Sequence, residues 1–460
     1  VRLTDNQLIS LFAERFGTDR ICVFDQLDET LRQRIVQSLA PDSLQPSCML
    51  FPKAIAELSE FVTIAHEHRL RIMPCGSATK LDWGGLVSRA DVVISTAKLN
   101  QVIEHCVGDL TVTVEAGTKY QDLQSVLAMQ GQFLAIDPPY STNSTMGGVL
   151  ATGSAGSWRH RYNSVRDMCL GIEFVRADGE VVKAGGRVVK NVAGYDLMKL
   201  LTGSYGTLGI ASKITFRLYP LPEFTQIIVI TGQAEAIAIA QQQISTSVMT
   251  PMVYDLLSAS AIRSLGLGQC IGLVLQFSGL KLSVLEQCDR VAEIAKELNL
   301  EVQVLDETQE FCRLLETLIW KDDLRNSVQS NQNDSVVCKL GVLPSTSVSF
   351  LKECEQIFDQ QSYYLQIHTG SGLGVLRVED VQDLEAIALQ ISKIRSIAES
   401  CGGFLSILEA PQALKFGNRT LGKDSSNLEN VWGYRGNARD LMVKLQQQFD
   451  PRGLLSCDRL

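Results

Sequence analysis

Two stretches of small residues are the parts of this 460-residue chain best suited to chemistry. The first, Pro74-Cys75-Gly76-Ser77-Ala78-Thr79-Lys80, follows Leu70–Met73, an apolar run that reads as a strand. Successive small side chains let the backbone curl until several N–H groups point at one anion, an approach that larger side chains would block. The second is Ser144-Thr145-Met146-Gly147-Gly148-Val149-Leu150-Ala151-Thr152-Gly153-Ser154-Ala155-Gly156, whose spacing predicts a helix from Met146 to Leu150. A helix start offers unpaired N–H donors and a positive dipole end, again suited to phosphate. One such loop alone is equally consistent with simple turns. Two in succession, one after a strand and one opening a helix, point to a diphosphate.

The charge balance agrees with a backbone cradle rather than a basic surface. Lys and Arg number 42 against 51 Asp and Glu, a net charge of −9, and no basic cluster rises above that background. Nucleic acid is thereby disfavoured as a partner. The sequence has no G-x-G-x-x-G with an acid about 20 residues on, and no G-x-x-x-x-G-K-[ST]. The twelve cysteines include no C-x-x-C pair, so neither an iron–sulfur cluster nor a structural zinc is expected, and reduced, mostly buried thiols are. The N-terminal residues are amphipathic and charged, and the longest apolar runs, such as Cys270–Phe277, fall far short of a membrane span. The expectation is a cytoplasmic protein with no direct membrane span, peripheral at a membrane only through a partner.

Proton chemistry has few candidates, because there are only five histidines. His66 and His68 fall at the polar end of an amphipathic helix and read as solvated; His105 reads as part of a turn. His160 lies in Trp158-Arg-His-Arg-Tyr162, and His368 opens His368-Thr-Gly-Ser-Gly-Leu-Gly374. Each is a candidate base, set against a satisfied core or turn role.

The elements that must position these residues follow from periodicity. Residues 1–45 read as polar helical material, and Ile55, Leu58, Phe61, Val62 and Ala65 mark an amphipathic helix. Strands are expected at Val92–Ser95, Leu110–Glu115 and Cys169–Arg176, with a helix at Tyr120–Met129 and an Asp178-Gly179 hairpin turn returning through Val181–Lys183. The alternation in Ile210–Leu218 closes this unit. Between residues 224 and 410 the order β-α-β-β-α-β occurs twice, the split βαβ order of a ferredoxin-like sheet, with helical residues 310–325 between the copies. A polar linker with Gly417, Gly422, Lys423–Ser426 and the Trp432–Gly436 turn follows. The last helix carries Ala438, Leu441, Met442, Leu445 and Phe449 on one face and stops before Pro451.

The set Pro74-x-Gly76-x-x-Thr79-Lys80, Val114-Glu115-Ala116-Gly117 and Ser144-Thr145-Met146-Gly147-Gly148 resembles the FAD-binding domain of the vanillyl-alcohol oxidase/PCMH flavoproteins. Val165–Gly171, Gly179–Gly186, Val189–Leu197, Leu201–Gly209 and Phe449-Asp450-Pro451 narrow this: they look like the E subunit of the glycolate oxidase complex rather than its catalytic D subunit. The resemblance implies an α+β fold. Residues 1–45 would be a helical extension, 46–222 a PCMH-type domain of two α/β subdomains, 223–410 a cap of duplicated ferredoxin-like units, and 411–460 a linker and helix packing back on the FAD domain. It also implies that Pro74, Cys75, Gly76, Ser77, Ala78, Thr79 and Lys80 line FAD together with Ser144, Thr145, Met146, Gly147 and Gly148. Thr152, Gly153, Gly156, Gly209 and Ile210 would complete the site.

Departures from the family pattern carry information. Ser77 and Ala78 replace two glycines of the usual first loop, which the cradle survives provided neither position requires positive φ. Thr79 stands where some relatives bear a flavin-linked histidine, implying non-covalent FAD. Catalytic relatives read His-x-Gly-Asp-Gly-Asn-x-His where this chain has Ser371, Leu373 and Val375 after His368, and their Glu-His-Gly appears only as Glu409-Ala410-Pro411. No two-histidine metal site is therefore expected. His368 or His160 is left as base, with Arg377 as the candidate clamp on a substrate carboxylate. The implied function is the FAD-binding subunit of a glycolate (2-hydroxy-acid) dehydrogenase, partnered by a catalytic flavoprotein and an iron–sulfur subunit. A self-sufficient 2-hydroxy-acid dehydrogenase and a degenerate assembly scaffold are the alternatives.

Overall fold

The structure is a computed structural model describing residues 3–187, 194–306, 308–321, 335–359, 361–416, 431–433 and 437–460. Parts of the Val189–Leu197 motif and of the 310–325 helix, Gly417, Gly422, Lys423–Ser426 and the end of the Trp432–Gly436 turn lie outside the described residues. The chain divides into two compact units. One is Val1–Gly156 with Asn163–Leu221 and Arg435–Leu460; the other is Ser157–Tyr162 with Pro222–Tyr434. The short Ser157–Tyr162 segment, which carries His160, thus groups with the second unit, and the N-terminal residues group with the first.

In the first unit, β1 (Ile21–Val23), β2 (Cys48–Leu50), β3 (Ile72–Cys75) and β4 (Val92–Ser95) form a sheet of order β1-β2-β4-β3, parallel except at β1. The helix Ile55–His68 buries Leu58, Phe61, Val62, Ile64 and Ala65, and Phe12 and Phe16 meet Phe61 edge-on. Each fully buried side chain of Leu or Phe size contributes about 1.5–3 kcal/mol. The helix stops at Arg69, whose φ of 55° places it in the left-handed region, and the chain turns into β3. β1 was not legible in the sequence, where residues 1–45 read as helical.

β5 (Val102–Cys106), β6 (Thr111–Glu115), β7 (Gln132–Phe133), β8 (Cys169–Val175), β9 (Val181–Gly185), β10 (Ile210–Arg217) and β11 (Tyr219–Pro220) follow. Five of them make the antiparallel sheet β5-β6-β10-β8-β9, and β11 pairs with β7. His105 therefore lies in a strand rather than a turn, its Nε2 2.9 Å from Oε1 of Gln132. His66 is not simply solvated either: its Nδ1 lies 3.0 Å from the Ala177 carbonyl. The tail joins this unit by main-chain bonds, Ile72 N–H donating to Leu454 O at 2.7 Å and Ser456 N–H to Ile72 O at 2.9 Å.

The second unit holds β12 (Phe224–Gly232), β13 (Val253–Leu257), β14 (Ile271–Gly279), β15 (Glu301–Leu305), β16 (Ser335–Gly341), β17 (Tyr363–His368), β18 (Leu373–Glu379) and β19 (Phe404–Glu409). They form one antiparallel sheet of order β15-β12-β14-β13-β17-β18-β16-β19. Each half has the 4-1-3-2 order of a ferredoxin-like unit, and the halves meet where Asp255, Leu256 and Leu257 pair with His368, Ile367 and Gln366. The duplication read from the sequence is therefore one continuous sheet. On one face, the helix Thr308–Trp320 packs Phe311, Leu315 and Ile319 against Leu257, Val274, Val337 and Val375. The same face carries Asp255, Gln366 and His368, because side chains two apart on a strand point the same way.

Candidate functional site

The small-residue loops of the first unit meet in an open cleft. Pro74, Cys75, Gly76, Ser77, Ala78, Thr79 and Lys80 line it throughout, with Thr145, Gly147, Gly148 and Thr152 opposite and Gly209 and Ile210 closing one side. The loops touch where glycine is required. A Cβ on Gly76 would lie 2.0 Å from Thr145 Oγ1, one on Gly147 would lie 2.9 Å from the Ala116 Cβ, and one on Gly209 would lie 2.7 Å from the Phe174 ring. Thr145 caps the helix Met146–Thr152, its Oγ1 accepting from Gly148 N–H at 3.3 Å. Ser95 Oγ donates to Gly76 O at 3.0 Å and Thr96 Oγ1 to Cys75 O at 3.3 Å, which fixes the peptide planes of the first loop.

Some predicted residues act from behind the wall. Ser144 and Met146 are buried outside the cleft, Gly153 is the left-handed residue ending the helix, and Gly156 N–H donates to Asp137 Oδ1 at 3.0 Å. Lys80 reaches the lining, yet its ammonium donates to Ser144 Oγ at 2.6 Å and Pro139 O at 3.2 Å, pinning the first loop to the entry of the second. Ala78 overturns the proviso attached to it: its φ is +57°, the left-handed region that favours glycine. Burial pushes the Cys75 thiol up to about 12, so it is no thiolate.

Sequence reasoning missed two contributors. Ser204-Tyr205-Gly206 lines the cleft and packs on the first loop, where a Cβ on Gly206 would lie 2.8 Å from the Pro74 ring. Arg459, in the tail, donates to Leu81 O at 2.7 Å and Trp83 O at 2.8 Å and lies 5.6 Å from the Tyr205 ring. Burial pushes its guanidinium down to about 10, which still leaves it charged at neutral pH and the cleft wall with a cation.

The histidine candidates assemble within the second unit. His368 Nδ1 lies 2.7 Å from Asp255 Oδ1, and Asp255 is 0% exposed. The other carboxylate oxygen accepts from Ser157 Oγ at 2.5 Å and Gln366 Nε2 at 2.8 Å. His160 joins them, its ring 5.9 Å from that of Tyr254 and packed on Gly370, where a Cβ would lie 1.8 Å from His160 Nδ1. Burial lowers the His160 pKa, Asp255 raising it and His368 lowering it to smaller extents. Asp255, Ser157 and Gln366 carried no local signal in the sequence.

Arg377 does not join the group. It lies opposite Tyr364 in the β17–β18 register, four positions from His368, and is buried with its guanidinium donating to Leu318 O at 2.6 Å and to Glu379. A cation on the same face and nearer the group in register is Lys339, which shares the pairing row of Gln366 through Val375. Burial, then the charge of Arg159, lowers its pKa. Among the described residues no three His, Cys, Asp or Glu side chains converge as a metal-binding group.

A family model described as an FAD binding domain matches residues 46–185. Among curated proteins, the glycolate oxidase subunit GlcD of Bacillus subtilis is 36% identical over 39% of this chain and 38% of its own length. The mitochondrial D-lactate dehydrogenase [cytochrome] of Arabidopsis thaliana is 31% identical over 55% of this chain and 46% of its own. A D-2-hydroxyglutarate dehydrogenase of Stutzerimonas stutzeri is 30% identical over 38% of each chain. The matches thus span about two-fifths of these relatives. Among solved structures, an alkyldihydroxyacetonephosphate synthase has a TM-score of 0.72 at 17% identity, covering 100% of this chain and 87% of that one. A p-cresol methylhydroxylase has a TM-score of 0.72 at 15% identity, covering 98% and 95%. At these identities the likeness is one of fold. Residues 46–185 are thus similar to an FAD-binding domain.

Proposed function

We propose that the chain is the FAD-binding subunit of a glycolate-type 2-hydroxy-acid dehydrogenase complex, which passes electrons to an iron–sulfur partner beside a second, catalytic flavoprotein. The observation that carries the flavin half is the cradle closed at Gly76 against Thr145. The E-type motifs support the subunit reading, and the named relatives support the substrate class. The chemistry that FAD supplies when bound is acceptance of a hydride and onward transfer of its electrons. In this chain the first loop, Thr145 and Gly147 would hold the diphosphate, non-covalently because Thr79 offers no attachment, with Arg459 adding charge to the same wall. Among the described residues no helix is long and apolar enough to cross a membrane.

A second reading, a chain that oxidises its own hydroxy acid, is favoured by the Asp255–His368 pair. In that reading His368 or His160 would take the hydroxyl proton. One experiment separates the readings: purify the chain, record its visible spectrum, and add glycolate or D-lactate anaerobically. Flavin that bleaches only after partners are added supports the subunit. Bleaching by substrate alone supports the self-sufficient enzyme. A chain that binds no flavin overturns both and leaves an assembly scaffold.

A further inference from the structure

We propose that Leu454–Arg459 is a cofactor-linked strap: it brackets the first loop of the cleft, so that flavin binding and docking of this segment stabilise one another, with Arg459 as the positioning residue. This rests on the reading of the cleft as the FAD site and on neither reading of the chain's catalysis. The contacts fall on both sides of the loop. Before it, Leu455 pairs in parallel with Ile72, Ile72 N–H donating to Leu454 O at 2.7 Å and Ser456 N–H to Ile72 O at 2.9 Å. This adds a short run to β3, the edge strand that leads into the loop. After it, Ser88 N–H donates to Cys457 O at 3.0 Å, Ser88 Oγ to Asp458 Oδ2 at 2.6 Å, and Arg459 to the carbonyls of Leu81 and Trp83. Both ends of Pro74–Lys80 are thus held by one short segment, which also reaches the facing wall where Ser456 Oγ donates to Tyr205 O at 3.4 Å.

Two features couple this docking to an anion. Ser456 and Asp458 are both left-handed, at φ 43° and 57°, a conformation that persists only where the surroundings over-determine it. Arg459 is 3% exposed, and its charge is disfavoured by that burial. The described lining of the cleft holds two cations, Lys80 and Arg459, and no carboxylate, so a diphosphate brought there offsets the cost of keeping a guanidinium in the wall. Whatever factor FAD adds to the docking equilibrium, docking adds to FAD affinity, because both express one coupling free energy. Arg459 acts by geometry as well as by charge. Its Nη2 spans Leu81 O and Trp83 O while the guanidinium lies 5.6 Å from the Tyr205 ring. A lysine ammonium, a point charge without the planar fork, reproduces the charge but not this arrangement.

The test uses the full chain with FAD itself as titrant, reading the Kd from flavin absorbance and the hydrogen exchange of the Ile72, Ser88 and Ser456 amides with and without FAD. In wild type, FAD should slow exchange at these amides about tenfold or more beyond any change in the second unit. Arg459→Met should raise the FAD Kd about tenfold or more and remove most of the FAD-dependent protection. Arg459→Lys should recover only part of the affinity. Ser88→Ala, outside the cleft lining, removes the bond to Asp458 and should raise the Kd a few-fold while speeding exchange at Ser456; it carries the test if Arg459→Met does not fold. An FAD Kd within about twofold of wild type in Arg459→Met and Ser88→Ala, whatever their thermal stability, makes the segment merely structural and overturns the inference. Full rescue by Arg459→Lys overturns the positioning role. A wild type that binds FAD with unaltered exchange at the three amides overturns the strap alone, whereas a wild type that takes up no FAD overturns the flavin reading and the strap with it.

Discussion

His368 and Asp255 are Cα partners in the pairing that joins β13 to β17, and their side chains are also bonded, Nδ1 to Oδ1 at 2.7 Å. The seam between the two ferredoxin-like halves is therefore the place where a histidine and a carboxylate are brought together. The pairing is continued by Ser258 N–H donating to Leu365 O at 3.0 Å and Thr369 N–H to Tyr254 O at 2.9 Å, and a buried carboxylate with three donors helps hold the register there. Slipping one strand by a residue would turn Asp255 to the opposite face and leave it uncompensated.

Gly76 gives the most direct test of the flavin cradle. Gly76→Ala would place a methyl 2.0 Å from Thr145 Oγ1, and Thr145 is itself held as the cap of the next helix. The loops must part. The purified variant is expected to retain its far-ultraviolet circular dichroism and to lose flavin absorbance.

Ala78 tests a different term. At φ +57° an alanine is strained by roughly 1 kcal/mol, which glycine would relieve while adding a comparable entropy to the unfolded chain. Ala78→Gly is thus expected to leave the unfolding midpoint nearly unchanged. Ala78→Val, β-branched in the same conformation, should lower it by about 2 kcal/mol and weaken flavin retention.

Lys80 is a buried pin whose loss takes a donor from Ser144 Oγ, while Pro139 O still accepts from Ser144 Oγ at 2.8 Å. Lys80→Met keeps the length of the stem and removes the ammonium. The expected cost is about 1–3 kcal/mol, read as a fall in the urea midpoint at constant slope, with flavin binding weakened because both loops lose their tie.

The sequence revealed these loops because their chemistry is local: small residues next to a strand or a helix start mean close backbone approach wherever they occur. The repeated β-α-β-β-α-β order was legible for the same reason. Asp255 was not, since one acid inside Val253-Tyr-Asp-Leu-Leu257 looks like any strand residue until its partner, 113 positions away, is paired with it. Arg377 shows the converse error, because closeness to His368 in the chain suggested a clamp while the strand register set it beside Tyr364 and Glu379. Arg459 belongs to a tail that enters the cleft through main-chain bonds at Ile72, which no side-chain pattern announces.

His160 predicts a pH dependence of stability with a defined sign. Burial lowers its pKa in the folded chain below the ordinary 6.5. Between the folded value and 6.5 the unfolded chain binds the proton that the folded chain refuses, so the unfolded state is favoured as pH falls through that window. Stability contributed by neutral His160 is present above 6.5 and is lost below it. Urea midpoints measured from pH 8 to pH 5 should decline on the acid side, and His160→Gln, which cannot titrate, should decline less. A variant whose midpoint falls as steeply as wild type would assign the acid loss to other groups.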